Sequence, residues 1–185
     1  MQLEVHELEL PEIKVIRSKK HADHRGVFSE TYNKRELAKV GLHLEFVQDN
    51  QTLSVTAGTL RGIHYQGHPF AQDKLVRVLR GRIFDVAVDI RRSSPTFGRW
   101  VSAELSAEQW NQILVPIGFA HAVCTLEPNT EVIYKVTNYY SPQADFGIRW
   151  DDPDLNIAWP FPEDQLVLSA KDKTQPYFKD IVHWF

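Results

Sequence analysis

Short apolar runs, broken at brief intervals by Gly, Pro, Asn and Ser, make up most of this chain. They fall at Val15-Ile16, 26–32, Phe46-Val47, 75–79, 83–90, 112–115, 120–126 and 131–137. Their length and the turn residues between them predict an all-β sandwich or barrel. Within 83–90, Phe84, Val86, Val88 and Ile90 alternate with Asp85 and Asp89. That period of two predicts a strand buried on one side. Arg80-Gly81-Arg82 predicts a hairpin turn joining 75–79 to it. One helix is expected where Asn33 caps a turn holding Glu36, Leu37 and Val40, with Gly41 as its stop. The aromatic-rich tail, 171–185, predicts a further short helix limited by Pro176.

The chain has 185 residues and shows no repeat, linker or composition shift. A single domain over 1–185 is therefore expected. The net charge of -3 gives no basic footprint for nucleic acid. Cys124 is the only cysteine, which forbids an intramolecular disulfide and fits a reducing compartment. The first ten residues carry three acids and no basic leader segment. No uncharged apolar run approaches the roughly 18–20 residues of a membrane span. These features predict a cytoplasmic protein with no nucleic-acid or membrane partner.

The segment 58–66, GTLRGIHYQ, holds the first candidate chemistry. A neutral imidazole such as His64 is suited to abstract a proton near pH 7. The competing reading is a strand histidine bonded to a backbone carbonyl, and only Arg61, Lys74 and a distant aspartate raise the first above it. Transition metals generally want three or four well-placed ligands. His64, His68, His121 and the His21/His24 pair do not supply them compactly, so no metal is expected. Tyr134 reads as a core tyrosine with a satisfied hydroxyl or as a proton donor facing a base. Lys74 reads as a solvated strand end or as an oxyanion stabiliser, and His121 as core or pocket. Arg25 and Glu30, around Gly26 and Phe28, suit either a phosphorylated ligand or a charged turn. Gln48, Asp49 and Asn50 can bond a base or sugar, or end a strand. In a regular strand Arg61 and His64 point to opposite faces. A shared pocket therefore requires a bulge at Gly62.

Taken together, several segments resemble the dTDP-4-dehydrorhamnose 3,5-epimerase family. They are DHRGVFSE (23–30), FVQDN (46–50), LRGIHYQ (60–66), QDKLVRV (72–78), FDVAVDIRRSSPTFG (84–98) and PIGFAH (116–121). Tyr134-Lys135, YSP (140–142), GIRWDDP (147–153), IAWP (157–160) and SAKD (169–172) complete the set, in order over roughly 20–175. The resemblance implies a cupin-like jelly roll used without metal or redox cofactor. It also implies a homodimer whose N-terminal strand region crosses to the partner, so that Arg25 and Glu30 serve the neighbour's pocket.

Carried over, the base falls on His64, its orienting acid on Asp172 and the proton donor on Tyr134, with Lys74 stabilising an enolate. Substrate contacts fall on Arg25, Glu30, Gln48, Asp49, Asn50, Arg61, His121, Asp145 and Lys171. The implied substrate is dTDP-4-dehydro-6-deoxy-D-glucose. Three departures bear on regiochemistry and sugar identity. Asn50-Gln51-Thr52 stands where Asn-His-Ser is frequent, Ala122-Val123 where Gly-Phe is common, and Asp145 where a glutamate is usual. The rival readings are a single-carbon epimerase of a related dTDP-4-keto sugar, a metal-dependent cupin enzyme and a non-catalytic sugar-nucleotide-binding module.

Overall fold

The computed structural model describes residues 3–185. Met1 and Gln2, part of the stretch read as lacking a leader, lie outside the described residues. The strands are β1 (Leu3–Glu7), β2 (Lys14–Ser18), β3 (His21–Asp23), β4 (Gly26–Phe28), β5 (Gln48–Ser54), β6 (Leu60–Gln66) and β7 (Lys74–Arg80). They continue as β8 (Arg82–Asp89), β9 (Trp100–Ser106), β10 (Asn111–Val115), β11 (Phe119–Thr125), β12 (Thr130–Val136) and β13 (Asp145–Gly147). Two short α-helices, α1 (Lys34–Lys39) and α2 (Ala170–Lys173), interrupt them.

Among the described residues the strands form a six-stranded sheet, β1-β2-β10-β7-β12-β5, and a five-stranded sheet, β13-β6-β11-β8-β9. All of their pairings are antiparallel. The ribbon of β3 and β4 pairs with neither sheet. Between the two sheets lies a core of Val76, Ile83, Ala87, Leu105, Ile113 and Val132. A second cluster, with Leu60, Ile63, Val86, Val88 and Ile90, covers the outer face of the five-stranded sheet beneath the irregular segment 146–185. On the outer face of the other sheet, Ile16, Leu75 and Leu114 pack against Leu37 of α1.

The expected helix is present. Asn33 Oδ1 accepts from the backbone N–H of Arg35 and Glu36 at 3.1 and 3.4 Å, and Gly41 leaves the helix at φ +81°. In the tail, Ser169 caps α2, which ends at Lys173, ahead of Pro176.

Other expectations are corrected. The 83–90 strand is buried on both faces, and Asp85 and Asp89 are inaccessible to solvent. Val86, Val88 and Ile90 lie under the irregular outer layer, while the acid-bearing face, with Ile83 and Ala87, turns into the space between the two sheets. Arg80-Gly81-Arg82 is no hairpin: β7 pairs with β10 and β12, β8 with β11 and β9. Gly81, at φ +79°, instead turns the chain from one sheet to the other. The 26–32 run pairs only through Phe28, because the chain must then leave the ribbon for α1. Phe46 precedes its strand and packs edge-on to Tyr32 at 5.4 Å.

Candidate active site

A cavity of about 260 Å³ opens between the two sheets at one end of the sandwich. His64 enters it from β6 and His121 from β11, directly opposite each other in the register. From the facing sheet come Lys74 and Val76 of β7 and Tyr134 of β12. An adjoining space of about 220 Å³ shares His64, Lys74, Tyr134 and Lys171, and adds Gln48, Asn50, Tyr140 and Asp145.

His64 Nε2 lies 2.5 Å from Asp172 Oδ1. The carboxylate is held by its place on α2 and by a 2.8 Å hydrogen bond from Ser169 Oγ to its second oxygen. Burial works against ionisation of Asp172. The hydrogen bonds from His64 and Ser169 and the charge of Lys171 outweigh it and hold the carboxyl below its usual range. With Nε2 engaged, Nδ1 is the ring nitrogen left free to exchange a proton.

A second imidazole–carboxylate pair stands beside the first. His121 Nε2 is 2.9 Å from both oxygens of Asp85, a β8 residue that sequence reasoning placed only on a strand face. A carboxylate alternating among apolar residues was its one legible signal.

Tyr134 reaches the cavity from the sheet opposite His64, and its hydroxyl has no hydrogen-bond partner among the described residues. A satisfied core tyrosine would have one. Burial raises the phenol's pKa, against the pull of Arg61, so it stays protonated at neutral pH. Lys74 is half-buried rather than solvated, with its Nζ 3.5 Å from the His64 carbonyl. Burial pushes its amine down to about 8, against the opposing pull of Asp145 and Asp85.

Arg61 lines the same cavity as His64. The register explains how: His121 pairs with His64 but Val123 with Arg61, so Gly62 and Ile63 together oppose Ala122. This is the bulge the shared pocket requires. At the mouth, Lys171 Nζ lies 2.5 Å and Tyr140 Oη 3.0 Å from Asp145 Oδ2.

Three candidate contacts lie elsewhere in the single chain. Arg25 sits on the exposed β3–β4 ribbon, paired with Asp23 at 2.7 Å. Glu30 lines a separate cavity on the outer face of the six-stranded sheet, with Arg77 and Tyr32. Strand alternation sends Asp49 to that outer face as well, where Lys135 Nζ binds it at 2.9 Å. No group of three or more His, Cys, Asp or Glu among the described residues is arranged to hold a metal ion. No helix among them is long and apolar enough to cross a membrane.

A family model described as dTDP-4-dehydrorhamnose 3,5-epimerase matches residues 7–180. The chain belongs to this isomerase family. A dTDP-4-dehydrorhamnose 3,5-epimerase of Sinorhizobium fredii is 51% identical over 169 residues, covering 91% of this chain and 86% of that protein. The chain is also similar to the crystal structure of a Legionella pneumophila dTDP-6-deoxy-D-glucose-3,5-epimerase in complex with dTDP-4-keto-L-rhamnose. The TM-score is 0.92 at 43% identity, over 98% of this chain and 95% of that one. A 3'-monoepimerase from Streptomyces bikiniensis, in complex with dTDP-quinovose, follows at TM-score 0.86 and 32% identity, covering 93% and 86%. The chain thus has the all-β, cupin-like jelly-roll fold of these epimerase structures.

Proposed function

We propose that the chain converts dTDP-4-dehydro-6-deoxy-D-glucose to dTDP-4-dehydro-L-rhamnose by inverting C3 and C5, with neither metal nor redox cofactor. The observation that carries this reading is the opposition of His64 and Tyr134 across one cavity. The C4 ketone acidifies the hydrogens on both neighbouring carbons. His64 Nδ1 takes one of them, and the negative charge of its imidazole partner Asp172 stabilises the imidazolium formed. The electrons move onto the C4 oxygen as an enolate, which the ammonium of the half-buried Lys74 stabilises. Tyr134 then delivers its phenolic proton to the opposite face of the same carbon and inverts it. Solvent resets both groups, removing a proton from His64 and returning one to Tyr134, before the second carbon reacts. Nothing is oxidised overall, so the chemistry requires no electron carrier.

Arg61, His121, Lys171, Gln48, Asn50 and Asp145 are read as contacts to the sugar and the nucleotide. Arg25, Glu30 and Asp49, which lie outside the cavity of their own chain, are assigned to a homodimer. In it the exposed β3–β4 ribbon of one copy reaches the site of the other. The single domain, the lone buried Cys124 and a nucleotide-sugar substrate fit a cytoplasmic location.

Incubation with dTDP-4-dehydro-6-deoxy-D-glucose, with product configuration read by NMR, tests the proposal. Inversion at both carbons in the presence of a chelator is expected, and an unchanged sugar contradicts it. Similarity to a 3'-monoepimerase supports a second reading, inversion at one carbon only, which the same spectrum separates.

A further inference from the structure

The bulge in β6 does more than interrupt a ladder. Leu60 and Ile63, three residues apart, share the outer apolar cluster, while Arg61 and His64, also three apart, share the cavity. The extra residue therefore shifts the side-chain alternation by one between Arg61 and His64. Gly62 adopts φ +140°, a region that side-chain-bearing residues rarely enter. A Cβ there would meet the Ala122 methyl, with Ala122 Cα at 2.7 Å and the His121 carbonyl oxygen at 2.9 Å. Ala122 is itself inaccessible to solvent, so its methyl group closes the bulge.

The two cavity residues on either side of this contact are anchored unequally. His64 is bonded to Asp172, and its strand pairs with β13 at Gly147. Arg61 has a single weak side-chain contact, Nε to Ser54 Oγ at 3.4 Å, and no carboxylate among the described residues pairs with it. An uncompensated guanidinium in a cavity is a seat for an oxyanion.

We propose that the Gly62–Ala122 contact is a positioning device that turns Arg61 into the cavity. On this account it sets affinity for the diphosphate of the nucleotide sugar rather than the rate of proton transfer. The inference rests on the dTDP-sugar reading of the cavity.

The test combines crystal structures with calorimetric dTDP binding for Ala122→Val, Ala122→Gly and Arg61→Ala. Ala122→Val should move the guanidinium out of the cavity and weaken dTDP by about ten- to a hundredfold, the loss expected of a charge-assisted contact. Solvent exchange at saturating substrate should stay within about threefold, because His64 keeps its own anchors. Ala122→Gly should shift affinity in the same direction by less, and it carries the test if the valine variant does not fold. Combined with Arg61→Ala, Ala122→Val should add nothing further. An Arg61 that stays in the cavity of both Ala122 variants overturns the proposal, as does an equal loss of affinity in the Arg61→Ala background. If Arg61→Ala alone leaves dTDP affinity unchanged, the nucleotide-sugar reading of this end of the cavity fails instead.

Discussion

The cavity holds two imidazole–carboxylate pairs that look alike in composition and differ in everything that governs reactivity. In the first, the His64 side chain is 29% exposed, and its partner Asp172 arrives on a short helix from the far end of the chain. In the second, His121 is 10% exposed and Asp85 fully covered, both held on adjacent central strands of one sheet. His64 makes one short contact of 2.5 Å to a single oxygen, whereas His121 is shared between two oxygens at 2.9 Å. The first pair thus leaves a ring nitrogen facing space that a substrate can enter. The second is a fixed part of the wall. On the proposed mechanism the same two residue types serve as a proton carrier in one place and as a rigid polar contact in the other, and access rather than composition separates them.

The sharpest way to break this comparison is to remove each imidazole in turn. His64→Asn should lower turnover by about 10²–10⁴-fold, the usual worth of a positioned base. His121→Asn should cost about tenfold and act chiefly on KM, as a substrate contact would. Equal losses in kcat would erase the distinction. Tyr134→Phe sharpens the roles on the two sides of the sugar. The variant should still exchange substrate hydrogen with solvent at the His64 side, while product of inverted configuration falls by a similar 10²-fold or more. Loss of exchange and inversion together would mean that the phenol is needed for the first step as well.

The pH dependence follows from Lys74. Its amine, lowered to about 8, is protonated below that value and neutral above it. An enolate stabilised by the ammonium form predicts a kcat/KM that falls as pH rises through about 8. The Lys74 contribution to folding runs the opposite way. With a folded pKa below the unfolded one of about 10.4, the unfolded chain binds more protons between the two values, so stability rises with pH there. Parallel pH profiles of kcat/KM and of urea unfolding check both signs.

A smaller effect lies away from the site. Burial opposes ionisation of Asp89, but hydrogen bonds from Arg91, Thr96 and Ser94 lower its pKa to about 2. This contributes roughly 2 kcal/mol above the unfolded pKa near 3.9, lost as pH falls toward 2. Asp89→Asn should flatten that part of the acid-unfolding curve and leave the midpoint of the kcat/KM profile near 8 unmoved.

The strand pattern made the sandwich legible, because period-two alternation and turn residues are local properties. What escaped was set by distant chain. The apolar face of β8 packs under segment 146–185, and its acid-bearing face is covered by the opposite sheet, so a strand that looked half-buried is buried on both sides. Gly81 carries the local mark of a turn, but whether a turn pairs its flanking strands or passes between sheets depends on partners far away. The need for an irregularity at Gly62 was readable from parity alone, since Arg61 and His64 share a pocket only if alternation breaks. Asp85 was not readable as the partner of His121, because strand alternation gives its face and not what that face meets. Glu30 and Asp49 share a cavity on the outer face of the six-stranded sheet and Arg25 lies on the exposed ribbon, so none of the three reaches the cavity of His64 in its own chain, which no local pattern foretold.

The central claim, that His64 and Tyr134 exchange protons with both carbons beside the ketone, is tested most directly in deuterated water. Wild-type protein and His64→Asn would each be incubated with dTDP-4-dehydro-6-deoxy-D-glucose, and C3 and C5 followed separately by NMR. The account predicts deuterium at both carbons with the wild type and at neither, on the same timescale, with the variant. Undiminished exchange in His64→Asn, or exchange at neither carbon in the wild type, would contradict it.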